Sequence, residues 1–486
     1  MLHTLPVKVS SVNMEDVMSD TVSPADLSRF LDRQRAAFLR DGPPVLKQRR
    51  ADLRRLKAEV LKRRIDIVRA LKADFGQRSE RESAIVELIP LIQSINYMIR
   101  HLACWMRPER RHVSAYFQFG RAWIIRQPVG VVGIIAPWNY PVSLALVPLA
   151  TAIAAGNRAM LKPSEFTPVT SAVIGEIVRA VFPSEQVSVV TGDGEVGAAF
   201  SALPFDHLFF TGSTSVGRKV AEAAARNLTP VTLELGGKSP VVIEPGFCRE
   251  WVADRLVFGK LTNGGQTCIA PDYVLVHEND RDAFAAAYQA GVKKQHPGGY
   301  AGSSDYTAIL NQHHYERLQG LIDNAEHQGA QVIRLGSNSD ESHVLAPVLL
   351  LDVTPQMTVM QEEIFGPVLP VLTYRTLDEA IAFINERPRP LALYYFGDNR
   401  AERDRVLRRT VSGNVTINGA LLHIAQDDLP FGGVGDSGIG AYHGKEGFIA
   451  LTHPRGIYRQ GRFSGATLLQ PPYDRLTDVI TNLLLR

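Results

Sequence analysis

Short apolar runs alternate with helical segments between residues 129 and 235, and this pattern constrains the fold more than any other feature. We predict strands at residues 130–136, 158–161, 186–190, 207–210 and 231–235, with helices at 144–155, 170–181 and 215–227. Such alternation is typical of βαβ units, which build a parallel sheet. Ligands of an open α/β sheet bind beyond the carboxyl ends of its strands. The residues just past these ends are Trp138, Asn139, Lys162, Gly212 and Ser213.

The flanking segments extend the prediction to the whole chain. Residues 25–112 are predicted to be helical, because aliphatic residues such as Leu53, Leu56 and Val60 recur at helical spacing between charged ones. A second α/β segment begins near residue 236, with strands at 240–243 and 273–276 and helices at 281–294, 315–328, 377–386 and 401–409. The 486 residues are enough for two or three domains.

Cys268 is the main candidate for catalysis. It ends the stretch Asn-Gly-Gly-Gln-Thr-Cys at 263–268, and a thiolate is the strong nucleophile among ordinary side chains. A free cysteine has a pKa of about 8.5 and needs assistance. Asn139 and Glu234, each at the end of an apolar run, could give it. A lone cysteine is more often a small buried hydrophobe, so only the three stretches together favour catalysis.

Seven motifs resemble those of the aldehyde dehydrogenase superfamily. Two of them resemble the two signatures of that superfamily: Glu-Leu-Gly-Gly-Lys-Ser-Pro at 234–240 and Gly-Gln-Thr-Cys at 265–268. The other five are Pro-Trp-Asn-Tyr-Pro at 137–141, Lys-Pro-Ser-Glu at 162–165, Phe-Thr-Gly-Ser-Thr at 210–214, Glu-Glu-Ile-Phe-Gly-Pro at 362–367 and Pro-Phe-Gly-Gly at 430–433. They follow the family's order, and the resemblance runs from about residue 25 to 460.

The resemblance implies an α/β fold with a parallel-sheet dinucleotide-binding domain, an α/β catalytic domain and a small β oligomerisation element. Residues 129–235 would bind NAD(P), with residues 1–112 as the helical N-terminal part of that domain, and residues 236–411 would be catalytic. A hairpin at 113–128, with two strands within 116–127, and a strand at 412–418 would bridge to a second copy in a homodimer. The rest of 412–486 would hold a glycine-rich active-site loop at 430–447 and a C-terminal tail.

The resemblance also implies the roles of three catalytic residues. Cys268 would attack the aldehyde carbonyl, and the resulting thioester would be hydrolysed after hydride transfer. The Asn139 side-chain amide and the Cys268 backbone N–H would stabilise the developing oxyanion, and losing one such donor costs about 10²–10³ in rate. Glu234 would activate the hydrolytic water as a general base, which requires partial desolvation of its carboxylate.

The cofactor implied is NAD, with NADP possible. The turn from Gly212 to Gly217 is not the dinucleotide fingerprint, because its glycines are five apart. The family nevertheless binds pyrophosphate at this turn and the following helix N-terminus. A glutamate at position 165 would bind ribose hydroxyls and disfavour a 2′-phosphate. The cofactor-binding residues implied are Trp138, Lys162, Ser164, Glu165, Gly212, Ser213, Gly217, Glu363, which matches the ligand of the nicotinamide ribose, and Phe365, which matches the residue near the nicotinamide ring.

Two stretches bear on the substrate. Residues 268–273 resemble class-3 aldehyde dehydrogenases, which handle aromatic and medium-to-long aliphatic aldehydes, and residues 422–430 resemble bacterial coniferyl aldehyde dehydrogenases. This implies an aromatic aldehyde such as coniferaldehyde, with fatty aldehydes as the alternative. The candidate aromatic walls are Trp138, Tyr140, Phe431 and Tyr442, since such walls favour aromatic rings.

Three other functions stay open at this point. A CoA-acylating relative would deacylate by a thiol, although the presence of Glu234 argues against it. A cofactor-free thiol hydrolase would need a histidine base, for which His423 and His443 are candidates. A non-enzymatic binding protein is also conceivable, because a fold alone does not fix function.

Composition excludes several other classes of function. A net charge of +3 does not indicate a nucleic-acid partner, and the basic run at 47–64 is predicted to be a solvated helix face. Three cysteines without a CxxC pair predict neither a disulfide framework nor a metal site, and suit the reducing cytoplasm. No run of about 18 apolar residues predicts a membrane span, and residues 1–20 are predicted to be a flexible leader without signal-peptide features.

Overall fold

The computed structural model describes residues 23–114, 117–462, 464, 467 and 470–485. The N-terminal part contains the helices α1 Pro24–Asp41, α2 Leu46–Lys62, α3 Arg64–Phe75, α4 Glu80–Ser83 and α5 Ile89–Trp105, with a π-helical turn at Ala84–Leu88. Two strands follow, β1 Glu109–Arg111 and β2 Arg121–Pro128. The predicted helical character therefore holds as far as Trp105. The predicted leader at residues 1–20 lies outside the described residues.

A parallel five-stranded core follows, as the alternating pattern predicts. Its strands are β3 Val131–Ile135, β4 Arg158–Lys162, β5 Val187–Val189, β6 His207–Thr211 and β7 Val231–Glu234, in the spatial order β7-β6-β3-β4-β5. The helices are α6 Ser143–Ala155, α7 Pro168–Val181, α8 Gly194–Ser201 and α9 Thr214–Ala225. Every residue of β3 is buried, and α6 is apolar on all sides because it packs between the sheet and the N-terminal helices.

A second sheet forms the other α/β unit. Its strands are β8 Pro240–Ile243, β9 Tyr273–His277, β10 Gln331–Arg334, β11 Val348–Leu351, β12 Val368–Tyr374, β13 Ala392–Phe396 and β14 Asn414–Ile417, in the order β10-β11-β12-β9-β8-β13-β14. All pairs are parallel except β10 with β11. The helices are α10 Glu250–Leu261, α11 Arg281–Gln295, α12 Gln312–His327, α13 Thr358–Gln361, α14 Leu377–Asn385 and α15 Arg400–Arg409.

The C-terminal segment returns to the first unit. Strand β15 Gly438–Ile439 pairs antiparallel with β7, helix α16 Gly444–Ala450 packs against α6, and β16 Thr452–Arg459 pairs antiparallel with the whole of β2. Together β1, β2 and β16 form a three-stranded sheet. The last helix is α17 Arg475–Leu484. Nowhere in the described ranges is a helix both long and apolar enough to cross a membrane.

The placement of two strands within residues 116–127 is wrong, because the antiparallel hairpin of this region joins β1 Glu109–Arg111 to β2 Arg121–Pro128 and so begins further upstream. Residue 116 lies outside the described residues, and residues 117–127 contain one strand, the main part of β2. The partners of β2 are β1 upstream and β16 near the C-terminus. The reason is that the apolar run at 122–125 stays extended and pairs with a segment more than 300 residues away, which the local pattern could not indicate.

The strand predicted at residues 412–418 corresponds to β14. It lies at the edge of the second sheet, and within the described part of the chain its one strand partner is β13, in parallel. The glycine-rich segment 430–447 is ordered, as predicted, and includes β15 and an isolated bridge between Phe431 and Tyr442. This segment contacts both units, because β15 pairs with β7 and the Pro430 carbonyl oxygen accepts from Asn414 Nδ2 at 2.8 Å.

Candidate active site

Cys268 lies at the end of a tight turn between α10 and β9. The 3₁₀ turn Thr262–Gly265 places Asn263, Gly264 and Gly265 at φ values of 54°, 60° and 77°. A Cβ on Gly265 would lie 2.4 Å from the Gly366 carbonyl oxygen, so only glycine fits there. The glycine pair thus allows the chain to reverse while its backbone packs directly against a neighbouring loop.

The turn is fixed by the buried side chain of Gln266. Its Nε2 donates to the carbonyl oxygens of Asn263 at 2.9 Å and Ala308 at 3.0 Å, and its Oε1 accepts from Leu310 N at 2.9 Å. A buried amide with all these bonds made holds its surroundings rigidly. The loop two residues before Cys268 is therefore well positioned.

Asn139 lies against the same loop, after the carboxyl end of β3. Its Nδ2 donates to the Gln266 carbonyl oxygen at 3.1 Å, and the next residue, Tyr140, shares a 2.5 Å hydrogen bond with the Thr267 hydroxyl. An amide nitrogen carries two N–H groups, so one remains after the bond to Gln266. Asn139 therefore contacts the loop that carries Cys268, although it is not in the lining of the cavity that contains Cys268.

A cavity of about 190 Å³ contains both Cys268 and Glu234 in its lining. Its walls are mainly apolar, and they include three of the four aromatic residues predicted to line it: Tyr140, Phe431 and Tyr442. His443 and the aliphatic Leu421, Leu422 and Ile424 complete one side. Trp138 is not in this lining. It packs instead against Phe75, His314 and Phe365.

Burial sets the protonation of the acidic groups around the thiol. It raises the pKa of the Cys268 thiol to about 12, and the nearby carboxylates of Glu363 and Glu234 add to the rise. The backbone N–H groups of Cys268 and Ile269 act in the opposite direction. Burial also raises the pKa of Glu234 well above its ordinary value, and neither carboxyl oxygen has a hydrogen-bond partner among the described residues. The thiol therefore needs a base to ionise at neutral pH.

Glu363 faces the glycine pair that follows Glu234. The Gly237 N–H donates to its carboxylate, and a Cβ on Gly236 would lie 2.1 Å from Glu363 Oε2. Burial raises the pKa of Glu363 to about 7. Both glycines and Glu363 line a cleft of about 520 Å³ between the two units, with Lys238, Thr214 and Asp436 also in its lining.

The other predicted cofactor residues lie where the first sheet's strands end. Ser213 is the N-cap of α9, its Oγ accepting from Val216 N at 3.4 Å. Gly217 allows α9 to approach the sheet, since a Cβ there would lie 2.5 Å from a Leu235 methyl. Lys162 ends β4 and its Nζ bonds to Glu165 at 2.9 Å. The Ser164 hydroxyl accepts from Phe166 N at 3.2 Å.

Phe365 and Trp138 lie together at the opposite side of this region. Their rings are 5.4 Å apart and nearly perpendicular, and Phe365 adopts a φ of 53°. Gly212 follows β6 and approaches the Phe210 ring so closely that a Cβ would lie 2.5 Å from it. All nine predicted cofactor residues therefore lie at or beyond strand ends of the first sheet, in α9, or on the loop between α13 and β12.

Two buried charged residues next to this site, Arg78 and Glu87, were not predicted from the sequence. Arg78 donates to the Asn139 carbonyl oxygen and pairs with Glu87. One signal could have indicated Glu87: it is the only charged residue in the apolar run 84–92. A charge in such a run is rarely buried without a partner.

The histidines offered for a thiol hydrolase differ in position. His443 lines the cavity, whereas His423 bonds to the Thr416 hydroxyl at 2.7 Å and stacks on Phe431. Burial lowers the pKa of each imidazole to about 4. Both rings are therefore neutral at pH 7.

Comparison with known proteins identifies the chain's family. The model described as "Aldehyde dehydrogenase family" matches residues 20–457. The chain belongs to the aldehyde dehydrogenase family. This aldehyde dehydrogenase is 47% identical over 449 residues to the "Probable coniferyl aldehyde dehydrogenase" of Pseudomonas aeruginosa. The aligned residues cover 92% of this chain and 94% of the relative. It is 43% identical over 470 residues to the "Coniferyl aldehyde dehydrogenase" of a Pseudomonas species, covering 96% and 97%.

Solved structures give the same result for this dehydrogenase. A substrate-bound state of Staphylococcus aureus AldH superposes with a TM-score of 0.90 and 37% identity, covering 94% of this chain and 99% of the other. A Mycobacterium tuberculosis aldehyde dehydrogenase in complex with NAD⁺ has a TM-score of 0.83 and 29% identity, covering 91% and 92%. The predicted family, α/β fold and enzyme class are therefore confirmed.

Proposed function

We propose that this aldehyde dehydrogenase oxidises an aromatic aldehyde, such as coniferaldehyde, to its carboxylic acid through a covalent intermediate on Cys268. One observation carries the proposal: Cys268 and Glu234 line the same apolar, aromatic-walled cavity, next to the loop that Asn139 holds. A nucleophile, a carboxylate base and an amide donor are the three groups that the reaction needs.

The first step is attack by the Cys268 sulfur on the aldehyde carbon. The thiol proton must be removed, because burial keeps the thiol pKa at about 12. Glu363, whose pKa is raised to about 7, is near enough to influence the thiol, and its ionised carboxylate accepts this proton. The carbonyl oxygen becomes an oxyanion, which the free N–H of the Asn139 amide stabilises with the Cys268 backbone N–H.

The second half of the reaction turns the thiohemiacetal into the acid. Hydride leaves the carbonyl carbon, the oxyanion collapses, and a thioester remains on Cys268. Glu234 then takes a proton from water, whose hydroxide adds to the thioester and releases the acid and the thiol. Burial suits Glu234 for this role, because its raised pKa makes it a stronger base than a surface glutamate.

NAD(P) supplies the hydride acceptor when bound. The residues that would hold it are those beyond the first sheet's strand ends, with Ser213 and the α9 N-terminus for the pyrophosphate. Glu165 and Glu363 would accept hydrogen bonds from the two riboses. The fit rests on the cleft of about 520 Å³ that Gly236, Gly237 and Glu363 line beside Thr214, the first residue of α9. Glu165 supports NAD over NADP, because a 2′-phosphate would meet its negative charge.

A fatty aldehyde is the second candidate substrate. Leu421, Leu422 and Ile424 give the cavity an aliphatic side, and Ile85 is a further aliphatic residue of its lining. A long apolar chain would be buried there as effectively as a ring per unit area. The aromatic residues favour the ring by about 0.5–1.5 kcal/mol per stacked pair, which supports coniferaldehyde-like substrates as the better ones.

We also propose a homodimer in the cytoplasm. The outer edge of β14 has no strand partner among the described residues, and Ile417 on it is 42% exposed. An open apolar strand edge invites pairing with another chain. The free catalytic thiol suits a reducing compartment.

A panel of aldehydes assayed for nicotinamide reduction tests the function. Cinnamyl and benzyl aldehydes should exceed acetaldehyde by about a hundredfold in kcat/KM, corresponding to two good aromatic contacts. Each aldehyde is assayed with NAD and NADP, and with and without CoA. A first rank for acetaldehyde would refute the aromatic assignment, whereas strict dependence on CoA would replace hydrolysis by acyl transfer.

A further inference from the structure

Arg78 and Glu87 form an ion pair inside the protein next to the active site. Their side chains are both 0% exposed, and Arg78 Nη2 lies 3.4 Å from Glu87 Oε1. Arg78 lies between α3 and α4, and Glu87 lies in the π-helical turn before α5. Burying two charges carries a large desolvation cost, so such a pair is weak evidence for stability and invites another explanation.

The two charges hold both ends of the segment that carries Asn139. Arg78 Nη1 donates to the Asn139 carbonyl oxygen at 3.1 Å, and Glu87 Oε2 accepts from the Ser143 backbone N at 2.7 Å. Ser143 is the first residue of α6. The ion pair therefore connects the start of that helix with Asn139, in the loop that follows the carboxyl end of β3.

The Asn139 carbonyl has a second donor from the nucleophile loop. Asn263 Nδ2 lies 3.0 Å from the same oxygen, and the same nitrogen is 3.2 Å from the Gln266 carbonyl oxygen. A carbonyl oxygen has two lone pairs. Arg78 and Asn263 occupy both, so the main chain of Asn139 is held from two sides while its amide is held by Gln266.

A lysine could not replace Arg78 in this arrangement. The guanidinium carbon lies 4.4 Å from the centroid of the Phe75 ring and 5.7 Å from that of Tyr140, so the planar group packs between aromatic surfaces. Separate nitrogens reach Asn139 and Glu87. An ammonium is a point charge without the fixed fork that these two bonds require.

We propose that Arg78, held in place by Glu87, is a positioning residue that sets the Asn139 side chain for oxyanion stabilisation. This inference rests on the proposed function, in which Asn139 is the oxyanion donor. Arg78 acts on the transition state only through Asn139. It holds the backbone carbonyl of Asn139 in place, and the position of the backbone determines where the side-chain amide lies. A small displacement of a catalytic group can cost about 10²-fold in rate, so a partial loss of this hold has a measurable effect.

A double-mutant cycle with Arg78→Lys and Asn139→Ala tests the inference. We expect Arg78→Lys to lower kcat/KM about tenfold in the otherwise native enzyme and to have no further effect in the Asn139→Ala enzyme. The dissociation constant for NAD should stay unchanged. Arg49→Lys is the matched control: Arg49 is also buried and donates to a helix carbonyl, that of Ala154 at 3.0 Å, away from the site. It should leave kcat/KM unchanged.

The possible results distinguish a failure of the Arg78 positioning role from a failure of the proposed oxyanion role of Asn139. An equal loss from Arg78→Lys in both backgrounds would show a general structural role and overturn the inference alone. Full activity of Asn139→Ala would refute the oxyanion assignment and the inference with it. If Arg78→Lys does not fold, Glu87→Gln is used in the same cycle, because its amide cannot pair with the Arg78 charge. A loss confined to the native Asn139 background supports the inference, and an equal loss in both overturns it.

Discussion

The Asn139 side-chain amide donates to the carbonyl oxygen of Gln266 at 3.1 Å, which ties the oxyanion donor to the loop that carries the nucleophile. The hydrogen bond between Tyr140 and Thr267 makes a second link between the same segments. The Asn139 segment follows β3 of the first sheet, and the Gln266 loop precedes β9 of the second. These bonds therefore align the two units at the candidate active site.

Replacing Cys268 by alanine should abolish aldehyde oxidation while the protein still folds and binds NAD. Cys268 is only partly buried and lines the cavity, so alanine removes the sulfur with little loss of core packing. Steady-state assays and a thermal melt measure the two properties. Cys248→Ala is the matched control, since that thiol is also partly exposed but is not in the cavity lining. Measurable turnover by Cys268→Ala would refute covalent catalysis.

Cofactor affinity should depend on the ionisation of Glu363. Its raised pKa of about 7 means that the carboxylate is mostly protonated at pH 6 and mostly ionised at pH 8. Ribose hydroxyls donate to the ionised form, so NAD affinity should rise about tenfold between these pH values by linkage. Fluorescence titration of Glu363→Gln with NAD should show no such rise. Glu362→Gln, at the exposed neighbouring position, is the control and should keep the rise. A wild-type affinity independent of pH would contradict this role.

The aromatic wall should set substrate preference. Phe431 lines the cavity and contacts Tyr442 edge-on, with ring centroids 5.7 Å apart. Phe431→Leu should lower the ratio of kcat/KM for cinnamaldehyde over hexanal about two- to tenfold, the worth of one aromatic contact. Phe247→Leu, a buried phenylalanine paired with Trp251 elsewhere, should leave the ratio unchanged. An unchanged ratio in Phe431→Leu would exclude this wall from ring recognition.

The open edge of β14 should carry the dimer interface. Light scattering at micromolar concentration should give twice the 53.5 kDa of one chain. Ile417→Lys should shift the mass towards the monomer, because a charge on an edge strand opposes pairing. Leu39→Lys, at a more exposed apolar position on α1, is the control. A native enzyme that is strictly monomeric would refute the dimer.

Sequence was sufficient for those features whose signals are local. The apolar alternation predicted β3 to β7 within a few residues of their observed bounds. Motif resemblance singled out Cys268 and Glu234, which the structure places in one cavity. The apolar alternation and the motifs both consist of residues that are neighbours in the sequence, so one sequence is enough to detect them.

The features that sequence did not predict depend on contacts between distant segments. The pairing of β2 with β16 joins segments more than 300 residues apart, and no turn signal marks it. Arg78 meets Asn139 across 61 positions. In the sequence, Arg78 is one of many arginines of the region predicted to be helical, where such side chains usually face solvent. Its burial becomes visible only in the three-dimensional structure.

Trapping the intermediate of the Glu234→Gln enzyme tests the covalent mechanism most directly. With no base for water, the enzyme mixed with cinnamaldehyde and NAD should give a rapid burst of reduced cofactor and then slow turnover. Intact mass spectrometry of the quenched enzyme should show one cinnamoyl group, and peptide mapping should place it on Cys268. A burst without an acyl adduct, or an adduct on another residue, would contradict the proposed chemistry.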